Sequence, residues 1–123
     1  MTNLGAEGHR ITVSEPNVTV RVEVDGVIIA DTQQARVLQE GSYVPRYYVP
    51  RADVRTDLLV PTDLSSTCPF KGDASYWHLE LEGTRHENLV WCYEDPIPAM
   101  AEIAGLLCFY NERVEIRVSS ERP

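Results

Sequence analysis

The sequence predicts an all-β domain, mainly antiparallel, with eight or so strands and at most one short helix. Three observations carry that expectation. Apolar and polar residues alternate with period two at 18–24 and again at 76–82, the pattern of strands buried on one face. Asp25-Gly26 stands between two apolar runs, and both residues tolerate the positive φ of a tight hairpin turn. Prolines at 45 and 50 deny a helix its backbone N–H and push their preceding residues into the β region.

Taken in order, residues 1–16 carry two glycines, mixed polarity and no period, and read as a disordered tail ahead of a single β domain at 17–123. Val18, Val20, Val22 and Val24 form the buried side of a first strand, and 27–31 return as its hairpin partner. Residues 32–43 mix helix formers with alternation and read as strand beside strand neighbours. The stretch 43–50 is extended, and its prolines suit an edge strand. Residues 51–75, rich in Pro, Gly, Asp, Ser and Thr, read as a long ordered loop, and such loops are usually functional. In 75–82, Trp77, Leu79 and Leu81 share one face, opposite Tyr76, His78, Glu80 and Glu82. A loop at 83–88 leads to a strand at 89–93, where Leu89, Trp91 and Tyr93 share a face. A helical turn at 99–107 stops at Gly105, and 106–110 with 114–118 close the chain as a hairpin across Asn111-Glu112.

Composition narrows the function classes. The chain has 123 residues and a net charge of −8, so its field repels phosphate backbones and nucleic acid is not the expected partner. No apolar run approaches membrane-spanning length and the first residues lack a secretory pattern, so a cytoplasmic protein without membrane contact is expected. Cys68, Cys92 and Cys108 are an odd set without a CxxC pair, which argues against a disulfide framework and a zinc knuckle; no metal and no cofactor are expected.

Lys71 is the only lysine beside ten arginines, and it sits in TCPFKGDASYW between Cys68 and a glycine. A lysine stripped of water beside aromatic rings suits a nucleophile or proton donor; the plainer alternative is a solvated loop lysine. Cys68 reads either as a thiol activated by the neighbouring ammonium or as a small apolar anchor. Cys92 and Cys108, inside apolar strands, read as structural. Pairing of 75–82 with 89–93 would gather Tyr76, Trp91 and Tyr93 beside Lys71, with Tyr48 as a further wall, as in a small-molecule pocket or equally a ring-rich core. Arg46, Arg51 and Arg55, with Asp53 and Asp57 between them, would clamp an anion or staple one another. His78 with Glu80 fits a general base or an exposed strand pair, and Glu94-Asp95 fits catalytic carboxylates or a strand cap.

From residue 47 the string YYVPRADVRTDLLVPTDLSSTCPFKGDASYW, continued by VWCYEDPIPAMAEIAGLLCFY, resembles the bacterial family catalogued as domain of unknown function four-two-seven. The matching positions are Arg46, Tyr48, Pro50, Arg51, Asp53 and Val54, then Pro61 to Tyr76, then Trp91, Tyr93, Pro96 and Gly105 to Tyr110, and the Cys-Pro-Phe-Lys-Gly core is the most specific of them. The resemblance implies a β-tent-like fold of two small antiparallel sheets meeting at an angle. It implies neither the zinc of relatives with paired CxxC motifs nor a nucleotidyltransferase activity, since Gly-Ser followed by a D-x-D pair is missing. It strengthens the assignment of Lys71, Cys68 and Tyr76 as catalytic candidates and of Arg46, Tyr48, Asp53, Trp91 and Tyr93 as ligand-binding candidates. The expected function is a small enzyme or accessory biosynthetic enzyme acting on a small molecule. A non-catalytic small-molecule-binding module and a structural or partner-interaction domain are the alternatives, and a homodimer is compatible with each.

Overall fold

Alternation along three strands organises the molecule. In β6 (Arg46–Val49) and β10 (Leu107–Phe109), and from Val90 onward in β9 (Thr84–Cys92), neighbouring residues point to opposite faces of one sheet. Val49, Val90, Cys92, Leu107 and Phe109 pack into one cluster, whereas Tyr48, Trp91 and Cys108 pack into another. The computed structural model describes residues 2–3 and 10–120. Among them, eleven strands form two antiparallel sheets, with 3₁₀ turns at Arg51–Asp53, Thr56–Leu58 and Pro98–Ile103. The all-β class is the one the sequence predicts.

The remaining strands are β1 (Thr2–Asn3), β2 (Arg10–Ser14), β3 (Thr19–Val24), β4 (Val27–Thr32), β5 (Arg36–Glu40), β7 (Leu59–Cys68), β8 (Gly72–Leu81) and β11 (Glu115–Ser119). The large sheet runs β1-β2-β5-β6-β10-β9-β8-β7 and the small one β11-β3-β4. Asp25 and Gly26, at φ 51° and 81°, make the expected tight turn between β3 and β4. Val22, Val24, Ile29 and Ala30 of the small sheet pack on Leu79, Leu89, Val90 and Phe109 of the large one, giving an aliphatic core between the layers. On the other cluster, Met100 and Ile103 of the last 3₁₀ turn lie fully buried against Tyr48, Trp91 and Tyr93.

Several expected boundaries are corrected. The tail does not extend to residue 16: Ile11–Ser14 pair with β5 and Ile11 is fully buried; residues 1 and 4–9 of the expected tail lie outside the described residues. The stretch around 46–49 is no edge strand but lies between β5 and β10, because its prolines flank the strand rather than sit in it. The long loop contracts to 51–58, since Leu59–Cys68 form the true edge strand, where Pro61 is tolerated and polar residues face water. The loop expected at 83–88 is strand; Glu82 and Gly83, at φ 50° and 83°, turn β8 directly into β9. The closing hairpin is also absent among the described residues: β10 joins the large sheet and β11 pairs with β3.

Candidate functional site

Register places the candidate residues. Tyr48 on β6 faces Cys108 on β10, Cys108 faces Trp91 on β9, and Trp91 faces Tyr76 on β8. Four adjacent strands therefore present one row of side chains on the same face of the large sheet. Arg46, two residues along β6 from Tyr48, and Tyr93, just past the end of β9 and two residues on from Trp91, extend it. β5 brings Leu38 opposite Arg46 and Glu40 two residues beyond. Over this row lies a cleft of about 250 Å³, lined from the sheet by Tyr48, Tyr76, Trp91 and Tyr93 and from the β5–β6 loop by Tyr43 and Val44. Tyr110 adds a further ring, and Arg46, Glu40 and Lys71 supply its charges.

Lys71 enters through a tight turn. Its N–H donates to the Cys68 carbonyl at 3.1 Å, and its own carbonyl accepts from Ile97 at 2.9 Å. The following Gly72 stands at φ +128°, where a Cβ would lie 3.1 Å from the Pro96 Cα. Only glycine allows that close approach, and it directs the lysine inward. Lys71 is 9% exposed. Nζ donates to Glu40 Oε1 at 2.6 Å and contacts Cys68 Sγ at 3.7 Å. The sole lysine is thus not a solvated loop residue but half of a largely buried ion pair beside the rings. A primary amine held against a carboxylate acts as a charge and a proton donor rather than as a free nucleophile.

The rings hold one another. Trp91 Nε1–H donates to the Tyr48 hydroxyl at 3.2 Å, and the two rings meet edge to face at 87°. Tyr110 stacks at a tilt on Trp91 with centroids 4.5 Å apart, and the Arg46 guanidinium lies 5.3 Å from the Trp91 centroid. Arg46 is fixed behind by Glu112 and Asn111, at 2.8 and 3.0 Å. Tyr76 exchanges a hydrogen bond with Ser66 at 2.8 Å.

Electrostatics follow from burial. Loss of water pushes the Tyr48 and Tyr93 phenols well up, with nearby Cys108 adding to Tyr48 and Cys68 to Tyr93. Burial raises Tyr110 too, with Tyr76 contributing, and holds the Cys108 thiol far above its usual value. For Arg46, desolvation works against the charge, but the hydrogen bond and field of Glu112 carry its pKa upward. These tyrosines stay neutral at physiological pH and offer O–H donors to whatever enters.

The structure brings together Lys71, Cys68, Tyr76, Arg46, Tyr48, Trp91 and Tyr93; Asp53 lies apart. It accepts from Thr32 Oγ1 at 2.7 Å at the end of the small sheet. The other arginines are staples: Arg51 binds Glu94 and the Gly105 carbonyl and covers Trp77, while Arg55 pairs with Asp57. Nor do His78 and Glu80 form a catalytic couple, because His78 Nδ1 accepts the Asn88 amide and Glu80 pairs with Arg85. All three cysteines are free thiols, Cys92 in the aliphatic cluster and Cys108 in the ring cluster. Glu40 was not among the sequence candidates; nothing local distinguishes it, since its partner is 31 residues away. Tyr110, also not a candidate, ends the Gly105–Tyr110 motif, which was the available signal.

No group of three His, Cys, Asp or Glu side chains among the described residues is arranged to hold a metal ion. No helix among them is long and apolar enough to cross a membrane. A family model described as "Domain of unknown function (DUF427)" matches residues 12–120. No curated protein matches the chain.

Proposed function

The chain belongs to the DUF427 family, and from that premise and the cleft we propose that the domain takes up a small molecule and exchanges a proton with it. It acts as a small enzyme or accessory biosynthetic enzyme. Rings grip the ligand's flat body, and the Lys71–Glu40 pair meets its polar end. The 2.6 Å ion pair at the wall of the cleft carries this reading. Burying two charges costs more than apolar packing of the same volume gains, so such a pair is poor material for a purely structural site. It suits an acid–base couple, because the ammonium and the carboxylate set a proton donor and a proton acceptor side by side at the wall of the cleft. Cys68, in contact with the amine, is the reserve nucleophile.

The locking of those groups favours a second reading. The Tyr48 hydroxyl is engaged by Trp91 and Arg46 by Glu112, as in a rigid, non-catalytic binding module. Incubation with a library of small metabolites, read by thermal shift and by mass spectrometry of the recovered compound, separates the two. A stabilising compound whose mass changes supports the enzyme. One recovered intact supports the binding module. Absence of any stabilising compound contradicts both and leaves a scaffold.

A further inference from the structure

We infer that the occupant of the cleft is a small aromatic carboxylate, held by its anionic end on Lys71; this rests on the small-molecule reading above. Size comes first. A volume of about 250 Å³ lies below the ~300–1,000 Å³ of drug-sized sites, so a one- or two-ring molecule fills it. Shape comes next. Tyr76 and Trp91 are paired across β8 and β9, Tyr93 follows just past the end of β9, and their faces and edges reward a planar ring over a puckered one.

Charge decides the end group. The lining holds two cations, Lys71 and Arg46, and both are ion-paired, so the cleft offers a ligand a spare donor rather than surplus charge. Arg46 is neutralised from behind by Glu112, which does not line the cleft, so Lys71 is the cation that meets the ligand. Nζ has three N–H donors. Glu40 takes one and Cys68 Sγ another, and the third has no partner among the described residues. An incoming carboxylate oxygen satisfies it, and a charge-assisted hydrogen bond in a water-poor site is the strong kind. A ring amine would instead set a third cation beside Lys71 and Arg46.

The test is a matched set of probes on the intact chain, with affinities from ligand-observed NMR: benzoate, indole-3-carboxylate, benzamide, benzylamine and cyclohexanecarboxylate. The two aromatic acids should bind more tightly than cyclohexanecarboxylate through ring shape, and at least about tenfold more tightly than benzamide or benzylamine, the size of one charge-assisted bond. Lys71→Met should remove most of that preference, and the Glu40→Gln/Lys71→Met pair, which removes both charges together, should do the same if the single variant folds poorly. Benzylamine binding as well as benzoate, or benzoate binding unaffected by either variant, would overturn the aromatic-acid assignment while leaving a small-molecule cleft standing. If no probe of any class binds, both the assignment and the small-molecule reading fall.

Discussion

The two faces of the large sheet are made by the same strands and differ in kind. Toward the small sheet, β6, β9 and β10 send Val49, Val90, Leu107 and Phe109, which carry no polar atom and need only exclude water. Away from it they send Tyr48, Trp91 and Cys108, joined by Tyr93 and by a lysine–glutamate pair. Each hydroxyl, indole N–H and charge there demands a partner, and each is costly to bury without one. The first face is what stability alone requires. The second carries polar groups that stability does not explain, and it is the face that opens as a cleft.

The largest effect should come from the first face. Phe109→Ala should lower unfolding free energy by about 3–5 kcal/mol, as for other buried aromatic truncations, and leave the cleft's ligand preference untouched in whatever fraction stays folded. Urea unfolding and probe affinity measured together check this; a cost below about 1 kcal/mol would deny that face its role.

Next comes the pair. Side-chain exposures of 11% and 17% place Lys71–Glu40 between surface and buried ion pairs. Lys71→Met should therefore cost roughly 1–3 kcal/mol by taking the ammonium away from the Glu40 carboxylate. Adding Glu40→Gln should restore most of it, and a double-mutant cycle in urea reads the coupling. Additive costs would mean the two groups do not depend on each other.

Smaller still is Tyr48→Phe, which strands the Trp91 N–H in a buried setting and should cost about 1–2 kcal/mol. Its companion is an alkaline titration. Phenols whose folded pKa is raised release their protons first in the unfolded chain. The stability they contribute is therefore intact below the ordinary tyrosine value and lost as pH rises above it. Unfolding midpoints should fall above about pH 10 and fall less steeply in Tyr93→Phe. An unchanged slope would show that Tyr93 is not the buried phenol described.

Much of this contrast was legible from alternation. Trp77, Leu79 and Leu81 parted from Tyr76 as period two requires, and the pairing of 75–82 with 89–93 gathered the rings beside Lys71. What escaped was long-range. Edge strand β7 hid because LVPTDLSSTC faces water on most positions and so has no alternation to read. Leu89 was grouped with Trp91 but packs in the aliphatic cluster, because the β8–β9 register shifts and Asn88 takes φ 51°. Glu40 escaped because no local pattern announces a partner on a distant strand, and Asp53 misled because its neighbours in sequence are not its neighbours in space.

One property of the chain makes the central claim directly measurable: with a single lysine, ¹⁵N-lysine labelling yields one side-chain ammonium signal. A group held by Glu40 and screened from solvent should give an observable, slowly exchanging Nζ resonance near neutral pH, moving when Glu40→Gln is introduced and again when benzoate is added. A signal erased by rapid exchange with water and indifferent to Glu40 would place the amine in open solvent and contradict the account.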